Sequence, residues 1–456
     1  MDDHDREQQA ELARGVREEL QRHGVVGLAT TWVDNSGITR VKAVPLARLE
    51  HAAAWGIGAS PVFDGFLADD SIVAGRFAGS PVGDLRLHPD LSRVVPLAAL
   101  PGWAWSPAVR YRQDGAVHPQ DQRSVAMRAV DQLRQAGYTA RMAFEIEWAL
   151  STSAPDFVPA AHGPAYGFTR LAERSDYLRE LLVALEAQGV AVDQIHPEYA
   201  PGQYELSVAA EDPVAAADTL VLVRETIRAL SLRCGLHASF SPKVDASGVG
   251  NGGHVHVSLS GEDGNIFRGG SGRYGLTEPA ESFTAGILER VPALLAVGAP
   301  SAASYLRLIP SHWAGAFQVW GLENREAALR IVTGSSGATD AANLEVKVFD
   351  LSANPYLTVA AVLFAGLAGM TQGTKLPEPV DVDPASIAED ERAARGIRPL
   401  PQTLAESAAA FEADDALTTG LGVELATTLV ELRQAEAARF ADSSAEQIAA
   451  AARWKY

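Results

Sequence analysis

Apolar residues along this chain switch between a spacing near 3.6 and a spacing of two, the pattern of helices interleaved with strands. The opening stretch predicts a polar amphipathic helix over 6–23, stopped by Gly24. Alternation then predicts a strand from Val25 to Val33, a turn at Asp34-Asn35-Ser36-Gly37 and a second strand through Val44. These turn residues tolerate the backbone angles a tight hairpin demands. Residues 45–105 stay β-rich and are broken by Gly and Pro, so a small N-terminal β domain is expected over 1–105 and a larger one over 106–456. In the second part, helical spacing covers 120–136, a strand runs from Thr139 to Leu150, and a Gly/Pro/Ala loop at 152–167 leads to a helix from Ser175 to Gly189. Asp212-Pro213 opens a helix that ends at Cys234-Gly235, with a carboxylate cap and a proline in the first turn. Helices over 278–298, 354–373, 404–412 and 422–440 alternate with strands near 304–309, 316–320 and 343–350, and 374–400 reads as a Pro- and acid-rich linker.

The segment Gly250-Asn251-Gly252-Gly253-His254-Val255-His256-Val257-Ser258-Leu259 is the centre of this pattern. Val255, Val257 and Leu259 fall on one face of a strand, and His254, His256 and Ser258 on the other. Phe144-Glu145-Ile146-Glu147-Trp148 repeats the device with two carboxylates. Like charges that close are unfavourable unless a cation neutralises them. Glu198 and Glu205 flank a Pro-Gly turn that begins at His196, and Glu345 shares a strand face with Lys347. Each strand alone also fits a polar face turned to water. Together, carboxylates and an imidazole on four segments suit a hard divalent ion, Mg²⁺ or Mn²⁺. Zinc is disfavoured, because oxygen ligands dominate and there is no thiolate cluster.

Composition narrows the partners. The 456 residues carry a net charge of -19, which argues against nucleic acid or an anionic membrane surface. A single cysteine, Cys234, excludes an internal disulfide framework and suits a reducing compartment. The apolar run Leu357 to Met370 is shorter than the ~20 residues a spanning helix needs and predicts a buried core helix. The charged start lacks the pattern of a secretory signal, so a cytoplasmic location is expected.

Taken in order, the motifs become specific. They are Glu-x-Glu at 145–147, His-x-Glu-(x)6-Glu at 196–205, Gly-Asn-Gly-x-His-x-His at 250–256, Ser-Tyr-x-Arg-Leu at 304–308, Asn-Arg-(x)4-Arg at 324–330, and Leu-Glu-x-Lys with Asn-Pro-Tyr-Leu at 344–357. The set closely resembles the glutamine synthetase family, type I-like, over nearly the whole chain. The resemblance implies an α+β fold: a β-grasp-like N-terminal domain and a catalytic domain with a curved antiparallel sheet flanked by helices. It implies a homo-oligomeric double ring with each active site between two subunits. One metal would be held by Glu147, Glu198 and Glu205, the other by Glu145, His254 and Glu345. His256, Ser258 and Arg330 match positions near the nucleotide, and Arg325 and Arg330 match catalytic arginines on the phosphates. Gly250, Asn251, Arg307 and Lys347 match the glutamate pocket, with Arg307 on the α-carboxylate. Asp64 matches a catalytic latch aspartate contributed by the N-terminal domain.

The departures lie on the amine side. Glutamine synthetases carry Pro-Gly-x-Glu-Ala-Pro in a flap after the Arg-Leu motif, whereas this chain reads Pro310-Ser311-His312-Trp313-Ala314-Gly315. An indole replaces the carboxylate that serves ammonium, although its face can bind an organic cation. The latch Asp-Gly-Ser-Ser becomes Asp64-Gly65-Phe66-Leu67, Lys347 stands where many members have arginine, and Arg398 stands at the regulatory tyrosine. Retained metal and glutamate machinery with altered ammonium machinery resembles the γ-glutamyl-amine ligases of the family. That implies ATP, L-glutamate and an organic amine as substrates, with His312 and Trp313 at the amine site. Together with Phe66 these residues lean toward a monoamine rather than a polyamine. The alternatives are a true glutamine synthetase using ammonium and a catalytically inactive regulatory member.

Overall fold

Asp3–Arg22 form the opening helix, whose Ala13 and Leu20 press on Leu28, Leu46, Leu49 and Ala104. The computed structural model describes residues 3–334 and 339–456. A six-stranded sheet follows, made of β1 (Gly27–Val33), β2 (Thr39–Pro45), β3 (Ile57–Ala59), β4 (Leu85–Pro89), β5 (Val95–Pro96) and β6 (Trp103–Tyr111). Its order is β2-β1-β6-β4-β3 with β5 on β6; β1 and β2 form the expected hairpin, and β1 and β6 run parallel. The division expected at residue 105 falls inside β6. Pro107 does not break that strand, since its carbonyl accepts from the Asp90 N–H and its missing donor is not needed there. The next element, Gln122–Gln135, begins only at the Asp121 cap.

The second sheet has nine strands: β7 (Thr139–Ser151), β8 (Val192–Pro197), β9 (Gln203–Val208), β10 (His237–Ser239), β11 (Val255–Gly261), β12 (Gly264–Asn265), β13 (Phe317–Leu322), β14 (Ala327–Val332) and β15 (Asn343–Val346). The order is β13-β14-β15-β11-β7-β9-β8, with β10 on β7 and β12 on β11. All pairs are antiparallel except β13–β14, which departs from the fully antiparallel sheet expected. Val255, Val257 and Leu259 are fully buried, and the histidine face of β11 is turned the other way. Helices Pro213–Arg233, Glu278–Gly298 and Pro355–Gln372 carry about a third of the apolar residues of this core. In the last of them Leu357, Val359, Val362 and Leu363 are completely buried, each contributing roughly 1.5–3 kcal/mol.

Two expectations are corrected. Residues 304–309 are not a strand: Ala302–Leu306 form a 3₁₀ turn, because Ser301 and Ser304 cap each other across it. Residues 374–400 are not a free linker either. Val380 donates to the Trp320 carbonyl, the Gln318 N–H donates to Arg398, and Ile387 and Ile397 pack with Phe317 and Val319.

The β1–β2 turn is buried at the junction of the two sheets. Asn354 caps helix Pro355–Gln372 through its side-chain oxygen, and its amide donates to the carbonyls of Val33 (3.0 Å) and Asp34 (3.1 Å). Gly37 sits at φ +81° with its α-carbon against the Ser352 carbonyl, where an added Cβ would collide. Gly37→Ala should therefore lower the unfolding midpoint, with backbone strain alone costing about 1–3 kcal/mol. A thermal or denaturant melt with an unchanged midpoint would show that this contact is not made.

Candidate active site

A cavity of about 800 Å³ opens on the polar face of the nine-stranded sheet. Antiparallel pairing of β7 and β9 sets Glu147 directly opposite Glu205, and Glu198 follows β8 at the same wall. The cationic partner close to this group is His196, 3.6 Å from Glu198 and 3.5 Å from Glu205. Burial and the neighbouring Glu205 and Glu198 push Glu147 up to about 8. Burial and Glu205 also raise Glu198, and the hydrogen bond that His196 donates to Glu205 holds the imidazole up at about 9. Gly252 completes the cradle: a Cβ there would stand 2.6 Å from Glu147 Oε1 and 2.7 Å from His254 Nε2. Buried like-charged oxygens around a space kept clear by glycine fit a hard divalent cation.

The second group is compensated from within. His254 Nδ1 lies 2.6 Å from Glu145 and 3.4 Å from Glu345, and His256 Nε2 lies 3.2 Å from Glu145. Lys347 and Arg330 each approach Glu345 to 3.0 Å. Although burial opposes it, Lys347 and His254 bring Glu345 down to about 2, and the two histidines carry Glu145 well below the usual range. Glu145, His256 and Glu345 stand close enough to share one ion. His256, expected beside the nucleotide, thus faces Glu145 and Asn343 (2.8 Å). Ser258 lies two residues farther along the same face, in register with Arg141.

Of the four residues expected around glutamate, Gly250, Arg307 and Lys347 line the cavity, and each has protein partners of its own. Arg307 is buried and lines the cavity, but its Nη2 donates to the carbonyls of Phe349 (2.5 Å) and Lys347 (3.2 Å). Gly250 is needed for that arginine itself, since a Cβ would stand 2.5 Å from Arg307 Cγ and would strike the Pro242 carbonyl. The Asn251 side chain is spent on the loop, donating to Ser241 (2.9 Å) and accepting from Gln203. Lys347 lines the cavity while paired to Glu345. Arg325 is exposed at the rim, and Arg330 bridges Glu345 and Glu323. Gln203 was not anticipated: its amide reaches Glu147 (2.9 Å), the Gly250 carbonyl (3.0 Å) and Asn251 (3.0 Å). The available signal was its place on the Glu205 face of β9, two residues earlier.

His312 and Trp313 form the opposite lip, with Trp313 about half exposed at φ +55°. Its N–H donates to Glu326 (2.8 Å), and Ser311 donates to Asp383 (2.7 Å). Asp64 does not join the cavity. It is buried in the N-terminal part between Arg110 Nη1 (2.5 Å) and His118 Nε2 (2.7 Å), and these two outweigh burial and hold its carboxyl below the usual value. Arg110 comes from β6, so this aspartate is fixed by a partner remote in sequence.

Residues 119–450 match the family described as Glutamine synthetase, catalytic domain. The chain belongs to the glutamine synthetase family. It is 53% identical over 98% of its length, and 97% of the other, to the γ-glutamylpolyamine synthetase GlnA3 of Streptomyces coelicolor. It is 30% identical to a glutamine synthetase of Halobacterium salinarum over 95% of its length and 94% of the other. A crystal structure described as a novel glutamine synthase homolog superposes with a TM-score of 0.84 at 33% identity, covering 95% of this chain and 99% of that one. An ADP complex of GmaS gives a TM-score of 0.82 at 27% identity, covering 94% and 97%. The N-terminal β domain and the catalytic sheet are those of the glutamine synthetase fold.

If Asp64 is structural, Asp64→Ala should destabilise the protein by about 1.5–3 kcal/mol, because buried Arg110 loses the shorter of its two carboxylate contacts and keeps Asp121. The expected readout is a lowered melting temperature with turnover per folded enzyme largely kept. Loss of turnover without loss of stability would return Asp64 to the catalytic set.

Proposed function

We propose that the protein joins the γ-carboxylate of L-glutamate to an organic amine, consuming ATP through a γ-glutamyl phosphate and releasing ADP and phosphate. The observation that carries this reading is the lip of the cavity. Position 313 presents an indole over an acidic chamber, and the nearby carboxylate, Glu326, is buried and already accepts the Trp313 N–H. The preferred amine is a polyamine rather than the monoamine expected above. Similarity to a named γ-glutamylpolyamine synthetase supports this, as do the exposed rings of Tyr166, Tyr199 and Trp313 around the cavity, which suit cationic methylene chains. An ATP-consuming ligase with one free cysteine suits the cytoplasm, and assembly into a homo-oligomeric ring belongs to the same reading.

Phosphoryl transfer to a carboxylate brings two anions together, so positioning and charge neutralisation do most of the work. Glu147, Glu198 and Glu205 would hold one divalent cation and Glu145, His254 and Glu345 another, with His196 and His256 adjoining the two groups. Such ions, Mg²⁺ or Mn²⁺, would neutralise the phosphate oxygens. Arg330 and Arg325 add guanidinium donors at the same end of the cavity. Gln203 ties the Glu147 carboxylate to the Gly250 carbonyl and so fixes the glutamate loop relative to the metal-binding acids. Trp313 offers apolar and π surface to an amine held against the acyl-phosphate, which adds affinity that ammonium cannot gain.

Glu147→Ala and Glu345→Ala should each abolish ADP release while leaving the protein folded. A chelator should stop the wild type, and Mg²⁺ or Mn²⁺ should restore it. Full activity in either variant would remove that residue from the metal-binding set.

A panel of ammonium, ethanolamine and di- and polyamines, scored for phosphate release with ATP and glutamate, tests the amine side. The polyamines should give the highest kcat/KM and ammonium the lowest. Trp313→Glu should narrow that gap in favour of ammonium. A wild-type enzyme that prefers ammonium to every organic amine would be an ordinary glutamine synthetase.

A further inference from the structure

We propose that Lys243 is a second binding residue for the α-carboxylate of L-glutamate, which it grips jointly with Arg307; this rests on the glutamate reading of the cavity. The reason begins with Arg307. A guanidinium holds a carboxylate side-on through two neighbouring N–H groups, and each such pair in arginine includes Nη2. Here Nη2 already donates to Phe349 and Lys347, and Nε is buried without a partner. What remains is a set of separated donors, so the second oxygen of a carboxylate needs a donor from elsewhere.

Lys243 is placed to supply it. It is 3% exposed, and it lines the cavity beside Val249, Gly250 and Arg307. Among the described residues it forms no ion pair, and its one hydrogen bond from Nζ goes to the Gly248 carbonyl at 2.5 Å. An ammonium has three donors, so two remain. Burial pushes its pKa down, the Asp245 carboxylate offsets this in part, and the nearby Arg307 lowers it further, so the net shift is downward. The placement is enforced by the backbone. The Asn251 N–H donates to the Pro242 carbonyl at 3.0 Å, and that carbonyl and the Arg307 stem share the space that a Cβ on Gly250 would take. Lys243 is the next residue after that carbonyl, so the backbone brings it to the same wall as Arg307. A loop clamp alone would explain the bond to Gly248, but not a buried unpaired cation at the cavity wall.

The test compares L-glutamate with its α-amide as substrates, using ATP, Mg²⁺ and the best amine. The α-amide lacks only the charge that Lys243 would meet. Lys243→Gln keeps an N–H for Gly248 and removes the cation. It should cut the preference for glutamate over the α-amide by about 10-fold or more, through a raised glutamate KM. The KM for ATP and the melting temperature should hold. Lys243→Arg, which keeps the charge, should retain most of the preference and guards against a Gln variant that folds poorly. If glutamate and α-amide lose equally, or the preference is intact in Lys243→Gln, the lysine only supports its loop and the inference is overturned. A wild type that ligates neither substrate instead overturns the glutamate reading itself.

Discussion

Pairing of β7 with β9 sets Glu147 opposite Glu205, and the turn before β9 adds Glu198, so three largely buried carboxylates share one wall of the cavity. Isolated charges in such a place are strongly unfavourable, and like charges more so. The strand register makes the arrangement unavoidable, because a shift of one residue would turn Ile146 and Leu206 out of the core and the acids into it. The other half of the chamber has the opposite balance. Glu145 and Glu345 are met by His254, His256, Lys347 and Arg330. One sheet thus holds a self-neutralised group beside one that His196 offsets only in part. Their difference in pKa direction is the physical trace of that asymmetry.

The cationic side of the chamber depends on the far side of the protein. Arg307 is held by the carbonyls of Lys347 and Phe349, at the start of a loop that runs to Asn354. Asn354 in turn binds the β1–β2 turn, and Arg433 reaches the Asn35 carbonyl at 2.9 Å. The hairpin of the N-terminal sheet therefore supports the loop that positions Arg307 at the cavity wall, without lining the cavity itself. This explains why a turn rich in Asp, Asn and Ser is buried here. Its polar groups are all spent on backbone and side-chain partners.

Strands whose two faces differ strongly were legible: β7 and β11 emerged with their apolar faces in the core and their ligands outward. Helices with a marked cap and a glycine stop were legible for the same local reason. What could not be read depends on distant partners. Asp64 has the local spelling of a latch, but Arg110 and His118 take both its oxygens. His256 shares its strand face with His254, so alternation alone could not say that both would meet Glu145. Alternation puts Gln203 on the Glu205 face of β9, but spacing does not say that it or Lys243 would reach loop carbonyls. The segment 374–400 has the composition of a linker, yet a few buried isoleucines and two backbone bonds suffice to fasten it to β13.

The lip of the cavity is built on a strained stretch of backbone. Ser311, Trp313 and Gly315 all have positive φ, at +60°, +55° and +73°. For the two that are not glycine this costs roughly 1–2 kcal/mol each, and such a bend persists only when its surroundings hold it. The holding groups are Asp383 on the Ser311 hydroxyl and Glu326 on the Trp313 backbone N–H. Neither touches the indole. The bend is therefore set by main-chain and Ser311 contacts, and the side chain at 313 is free to differ without moving Arg307, Lys347 or the acids of β7 and β9. The exposed lip is in this way built independently of the charge-dense floor of the cavity.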